Sequence, residues 1–212
     1  MNLLIFIYSL QCGGAERVTA NLADYWTKKG WQVTVVTLTT SEQDYYSLHP
    51  SVRRIGLDLS QESSGWLVAV AKNLRRALDL RKTIKQLKPD VALAMMGKSC
   101  ILLALATLGV RRVVTVGSER THPPHAPTGV VWGHFRKWLY GLLDALVVLT
   151  RESATWLQMN TRARRVVVIP NAAQWPLPKQ MPHIPPPTRL DGQHILLTAG
   201  RLSAEKGFDL LL

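Results

Sequence analysis

The sequence predicts an α/β fold built on a doubly wound parallel sheet, and three observations support this. Short apolar runs rich in β-branched residues alternate with longer segments of helical periodicity over residues 1–170. The first run, residues 2–8, is apolar throughout, as is common for strands buried on both faces of a parallel sheet. The chain has 212 residues, of which 47% are hydrophobic, and this is enough for a large buried core.

Seven strands are predicted from apolar runs that are bounded by turn residues. The first strand is followed by a turn that ends in Gly13 and Gly14, and the second begins directly after Gly30. The last three runs are rich in valine, which favours strands. The predicted strands cover residues 2–8, 31–39, 53–57, 91–95, 112–116, 145–149 and 165–169.

Five helices are predicted from apolar residues at three- and four-residue spacing between the strands. Gly30 ends the first helix, the Lys88-Pro89 pair ends the second, and Gly109 ends the third. A loop rich in proline and histidine, residues 117–129, precedes the fourth helix. The predicted helices cover residues 15–29, 66–87, 98–108, 131–140 and 152–159.

A proline-rich segment divides the chain. Residues 170–192 contain seven prolines, which fix φ and remove backbone donors, so the segment is expected to be extended. We therefore predict an α/β domain over residues 1–170 and a linker over residues 171–193. Residues 194–212 are then the start of a second, incomplete domain.

The charge of the chain predicts an anionic partner. The net charge is +12 and the isoelectric point is near 10.2, which suits a nucleotide, a nucleic acid or an acidic membrane. Seven scattered tryptophans do not form the cation and aromatic face that nucleic-acid binding needs, so no nucleic acid is expected. The excess of positive charge in the helix at residues 66–88 is typical of either a helix that contacts an anionic membrane or a solvated outer face. The helix carries one acid, Asp79, and seven cations, Lys72, Arg75, Arg76, Arg81, Lys82, Lys85 and Lys88.

The remaining composition favours a cytoplasmic protein. Cys12 and Cys100 are far apart and match no metal-ligand spacing, so reduced thiols are expected. No apolar run is long enough for a transmembrane helix, and the N-terminal run lacks the features of a signal peptide. The expected location is the cytoplasm, with contact to the inner face of the cytoplasmic membrane through the basic helix.

Three turns carry residues suited to an anionic ligand. Gly13 and Gly14 open a helix whose free N–H groups favour a phosphate, although a simple tight turn explains them equally well. A polar loop at residues 118–122 follows the fifth strand, where ligands bind in open sheets. Arg201 and Lys206 flank the turn after a strand at residues 194–199, as phosphate ligands or as solvated charges.

The amino-acid sequence of these turns resembles that of family 4 glycosyltransferases, which have a GT-B fold of two Rossmann-like domains. The similar segments are GGAERV, SERTHP, IPNA and GRLSAEKGFDLLL, in the family's order. The resemblance implies that the chain is the N-terminal half of such a fold plus the first strand and turn of the nucleotide-sugar-binding domain. It further implies the following sites: Gly14, Arg201 and Lys206 for the donor diphosphate, Gly13, Glu119 and Arg120 beside the acceptor or sugar, His122 (or His125) as catalytic residue, and Asn171 at the hinge.

By the same resemblance, the parent protein would move a sugar from a nucleotide donor, UDP-hexose or UDP-N-acetylhexosamine, with retention. The implied acceptor is a glycan or a polyprenyl-diphosphate-linked glycan, and no metal is expected because the chain has no Asp-x-Asp pair. The family's paired glutamates would lie beyond residue 212, so the chain alone is expected to be inactive. Ala172 stands where the family has glycine at the hinge. The alternatives are a non-catalytic nucleotide- or polyanion-binding module and a sugar-nucleotide epimerase. The segments SERTHP and GRLSAEKG argue against the epimerase.

Overall fold

The computed structural model describes residues 1–61, 65–125 and 129–172, together with residues 192, 194, 196, 198, 200 and 207–210. The chain divides into two compact units, Met1–Ala172 and Ala173–Leu212. In the second unit the description includes a short 3₁₀ turn, Phe208–Leu210. Arg201 and Lys206 lie outside the described residues, as does most of the predicted linker. The linker and the start of a second domain therefore stay predictions.

The first unit is organised around one parallel sheet, as predicted. Its seven strands lie in the order β3-β2-β1-β4-β5-β6-β7. Strands β2 and β3 are added on one side of β1, and β4 to β7 are added on its other side. This switch between β1 and β4 confirms the doubly wound, Rossmann-like α/β fold. The strands are β1 Asn2–Ile7, β2 Gln32–Thr37, β3 Arg53–Gly56, β4 Val91–Met95, β5 Val114–Ser118, β6 Ala145–Val148 and β7 Val166–Val168.

Helices cover both faces of the sheet. Because strand–helix–strand connections are right-handed, α1 lies on one face and the helices leading from β3 towards β7 lie on the other. None of the helices that the structure describes combines the length and hydrophobicity needed to cross a membrane. The helices are α1 Gly14–Lys28, α2 Trp66–Leu87, α3 Gly97–Ala106, α4 Val130–Leu139 and α5 Arg151–Asn160.

Alternation along the strands builds two cores. In β1, Leu4 and Phe6 are buried in a cluster that includes residues of α2 and α3. Leu3 and Ile5 point to the opposite face and pack in a smaller cluster with α1. Side chains of a strand alternate between the two faces, so a continuously apolar strand supplies both cores.

The fifth strand lies two residues later than the sequence predicts. Arg112 has a φ of +68°, a left-handed conformation that turns the chain before the strand begins. At the other end, Gly117 pairs with Leu146 and Ser118 pairs with Val147 of β6. The predicted loop at 117 therefore begins only at Glu119, whose N–H still donates to the carbonyl of Val147.

Candidate active site

A cavity runs along the α1 side of the sheet, from Met1, Trp31 and Val91 near the amino ends of the strands to the carboxyl edge. Its volume is about 620 Å³. Most of its lining is apolar and comes from α1 and from β1, β4, β5 and β6. Polar side chains at the carboxyl edge join it from Ser118, Arg120 and Asn171. Since ligand sites combine an apolar wall with a few polar groups, this edge is the candidate site.

Gly13 and Gly14 lie where β1 gives way to α1. Gly13 is the N-cap, with a φ of −173° and no side-chain cap for the helix. A side chain at position 13 would meet the carboxylate of Glu16, whereas the space beside Gly14 is open. No side chain caps the first turn, so its backbone N–H groups face the open space beside Gly14, and the Glu16 carboxylate lies at the same helix end. Neither glycine is among the residues that line the cavity.

Glu119 is buried below the loop rather than displayed in it. Its side chain is 3% exposed, and its carboxylate accepts a short hydrogen bond from the Tyr140 hydroxyl. The side chain of Arg136 is 6% exposed, and its Nε lies 3.5 Å from a carboxylate oxygen of Glu119. Burial raises the pKa of Glu119, although Tyr140 and Arg136 both lower it. This geometry favours a role in anchoring the loop over direct contact with a substrate.

Arg120 and Asn171 come together although they are 51 residues apart in the sequence. Arg120 donates a short hydrogen bond to Oδ1 of Asn171 and another, at 3.3 Å, to Oγ of Ser118. Within the described residues no carboxylate forms a salt bridge with Arg120, and burial lowers the pKa of its guanidinium. A half-buried cation without an acidic partner is suited to an anionic ligand.

His122 is held by the start of α5. Its Nδ1 lies 3.0 Å from Oγ of Ser153, which in turn lies 3.0 Å from Oγ1 of Thr150. Its Nε2 lies 3.6 Å from a carboxylate oxygen of Glu152. The ring of His125 contacts it edge-on at 4.9 Å, but His125 is exposed whereas His122 is part-buried. His122 is therefore the more firmly oriented of the two histidines.

Part of the basic helix predicted to face a membrane is engaged in the fold. In α2, Arg76 donates to the carbonyls of Leu59 and Gln61. Arg81 donates to carbonyls at the end of α3. Lys82 and Lys85 remain exposed on α2, as does Lys88 directly after it. The described residues contain no group of three or more His, Cys, Asp or Glu side chains that would hold a metal ion.

Comparison with known proteins identifies the family. Residues 13–172 match the family model described as "Glycosyl transferase 4-like domain", over well more than half of the chain. The chain belongs to the glycosyl transferase 4-like domain family. The matched residues include the glycine turn, the loop after β5 and Asn171. The domain thus carries, inside the match, most of the site residues that the sequence suggested.

Relatives of this glycosyl transferase 4-like domain are longer than the chain. A curated Campylobacter jejuni protein is 22% identical over 170 residues, or 80% of this chain and 46% of its own length. It is named GalNAc-alpha-(1->4)-GalNAc-alpha-(1->3)-diNAcBac-PP-undecaprenol alpha-1,4-N-acetyl-D-galactosaminyltransferase. The chain therefore spans about half the length of this relative.

Two solved structures share the fold of the domain. Sucrose-phosphate synthase from Thermosynechococcus elongatus superposes with a TM-score of 0.65 at 12% identity, covering 80% of this chain and 48% of its own. Anabaena Alr3699/HepE, solved in complex with UDP, superposes with a TM-score of 0.52 at 19% identity, covering 82% of this chain and 44% of its own. At this identity the likeness shows the fold alone.

Sequence reasoning missed the partners that hold the loop after β5. Ser153 and Thr150 orient His122, and the Thr-x-x-Ser spacing of a helix start after β6 was the available signal. Arg136 and Tyr140 hold Glu119, and their four-residue spacing places them on one side of α4. Met96 was also missed; it has a φ of +77° directly before α3.

Proposed function

We propose that this chain forms the acceptor-side half of a retaining glycosyltransferase that uses a nucleotide sugar, UDP-hexose or UDP-N-acetylhexosamine. The acceptor is a glycan or a polyprenyl-diphosphate-linked glycan. The observation that carries the proposal is the family match over residues 13–172, which spans both loops at the carboxyl edge. The name of the C. jejuni relative supports a lipid-linked acceptor, and the UDP complex of HepE supports a UDP-linked donor.

The chemistry assigns a task to each group at the edge. When the C1–O bond to the diphosphate breaks, negative charge develops on the leaving phosphate, and fixed cations and N–H dipoles stabilise it. The open first turn at Gly14 offers such dipoles. Arg201 and Lys206 are proposed as the cations, from the sequence resemblance alone. No metal is required in this scheme, because the protein supplies the positive charge.

Residues of the loop after β5 are proposed to act on the sugar and acceptor side. His122 contacts the transferred sugar, since Ser153 and Glu152 fix its ring beside the carboxyl edge. Arg120 contacts an anionic group of the acceptor, and Gly13 borders the same space. Glu119 acts indirectly by holding this loop in place. Asn171 bonds to Arg120 where the first unit ends, which suits a hinge.

The proposed location is the cytoplasm, at the inner face of the cytoplasmic membrane. A polyprenyl-diphosphate acceptor requires access to a membrane surface, and the exposed lysines of α2 suit anionic lipid. The partners are then the nucleotide sugar, the glycan acceptor and the membrane.

The test uses the full-length gene product. It is incubated with UDP- and GDP-sugars and an undecaprenyl-diphosphate-linked glycan, and released nucleotide is measured. We expect acceptor-dependent release that falls by orders of magnitude in Arg201→Ala or Lys206→Ala. The exposed Arg164 lies outside the motifs, so Arg164→Ala is the matched control and keeps full activity.

The alternatives give different outcomes in the same assay. An epimerase converts the donor sugar without any acceptor, and a binding module retains the nucleotide sugar unchanged. Either result would refute the proposal. The chain alone is expected to release no nucleotide.

A further inference from the structure

Helix α4 carries large apolar side chains on its outward side as well as on its inward side, where Trp132 and Leu139 pack against the core. Its one fully buried residue is the charged Arg136, which faces Glu119. Its outward side chains are large and apolar: Val131 is 65% exposed, Phe135 46% and Trp138 44%. Their spacing of four and three residues puts them on one side of the helix. Leu142, in the turn that follows, is 46% exposed and continues the row.

Basic groups border this apolar row. Residues 130–143 contain no aspartate or glutamate. Lys137 is exposed on α4 itself. The guanidinium of Arg162 lies 3.4 Å from the ring of Trp138. A row of aliphatic and aromatic side chains edged by cations is the composition of helices that lie in a membrane interface.

The neighbouring α2 repeats the pattern on the same side of the sheet. Helix α3 packs against both α2 and α4, so the two outer helices flank it. On α2, Val70, Leu74 and Leu78 are each more than half exposed and lie at four-residue spacing. Exposed Lys82 continues along this helix. Apolar side chains next to cations therefore occur on both helices of one face.

We propose that α4 inserts its outward row, Val131, Phe135, Trp138 and Leu142, into an anionic phospholipid surface, with α2 lying alongside. Charge complementarity selects this occupant, because the cations that edge the row favour anionic headgroups and no acid lies within residues 130–143. The inference deepens the membrane contact proposed above, and it names α4 as the anchor. It concerns lipid alone, so the glycosyl-transfer proposal stands or falls independently.

Vesicle co-sedimentation of the 212-residue chain tests this inference. The vesicles contain phosphatidylcholine alone or an equal mixture of phosphatidylcholine and phosphatidylglycerol. The chain is expected to bind the mixed vesicles and to be released by high salt. Val131→Ser/Phe135→Ser should reduce the partition coefficient by about tenfold or more, since it removes the apolar contact. Lys137→Gln should reduce it by about fivefold.

The matched control is Tyr45→Ser/Met159→Ser, which removes two apolar side chains that are 68% and 79% exposed elsewhere. It should bind as the unaltered chain does, and unchanged urea unfolding should show that all variants are folded. Equal binding of the Val131/Phe135 variant and the unaltered chain would overturn the inference. So would equal binding to both vesicle types, or none to either. Analytical ultracentrifugation covers one further outcome. If the unaltered chain binds no vesicles but forms a dimer, and only the Val131/Phe135 variant abolishes that dimer, the row contacts a second copy instead.

Discussion

Replacing Arg136 with methionine removes a guanidinium that is 6% exposed and lies 3.5 Å from the Glu119 carboxylate, itself 3% exposed. At this distance the attraction between unit charges is about 5 kcal/mol with an effective dielectric constant near 20. Breaking a buried pair by removing one partner costs about 3–5 kcal/mol, because the other charge stays buried. We therefore expect Arg136→Met to lose about 3–5 kcal/mol of unfolding free energy at pH 7.

Two companion measurements make this prediction specific. The double variant Arg136→Met/Glu119→Gln removes both charges, so it should recover most of the loss. The loss should also depend on pH. Burial raises the folded pKa of Glu119 above its ordinary value of 4.5, and removal of Arg136 raises it further. A raised folded pKa gives stability that is complete below the unfolded pKa and declines as pH rises through the folded pKa.

Urea unfolding followed by circular dichroism measures these free energies. The deficit of Arg136→Met should be small below pH 4.5 and should grow towards neutral pH. A deficit under about 1 kcal/mol at pH 7 would refute the account of a buried, coupled pair. A double variant no more stable than the single one would do the same, since the cost would then come from lost packing by the Arg136 stem.

Three further predictions concern the rest of the first unit. Gly117→Ala would place a Cβ 2.7 Å from Cδ1 of Leu146, so urea unfolding should show a loss of about 1–3 kcal/mol. Thr150→Ala removes the side-chain cap of α5 and should cost about 1 kcal/mol in the same assay, whereas Thr150→Ser should cost less. A thiol reagent should label the exposed Cys12 in the native chain but Cys100 only after unfolding, because burial raises the pKa of Cys100 far above its ordinary range. Two labelled thiols in the native chain would contradict the burial of Cys100.

The sheet was predictable because burial on both faces leaves a plain mark on the sequence. Strand β1 is apolar at every position after Asn2, and its residues alternate between the two cores. The long helix was predicted with its observed bounds, Trp66–Leu87, because its apolar residues recur at three- and four-residue spacing and Lys88-Pro89 ends it. The start of β5 was wrong because the left-handed turn at Arg112 is not visible in residue type.

Contacts within the candidate site were less predictable, because they depend on strand order. His122 follows β5 and Ser153 follows β6, and the two side chains meet only because these strands are neighbours. Arg120 and Asn171 meet because β7 brings the end of the first unit to the same edge of the sheet. The sequence predicted that polar groups gather at this edge, but not which pairs form.

The orientation of α4 connects the loop after β5 with the apolar row on the surface. Arg136 and Tyr140 are four residues apart, so both point inward when the helix satisfies the Glu119 carboxylate. An unpaired buried carboxylate is costly, so this contact favours the observed rotation of α4, as does the packing of Trp132 and Leu139 against the core. Phe135 and Trp138 are then left facing outward. One helix thus anchors the loop after β5 on its inner face and presents the proposed lipid contact on its outer face.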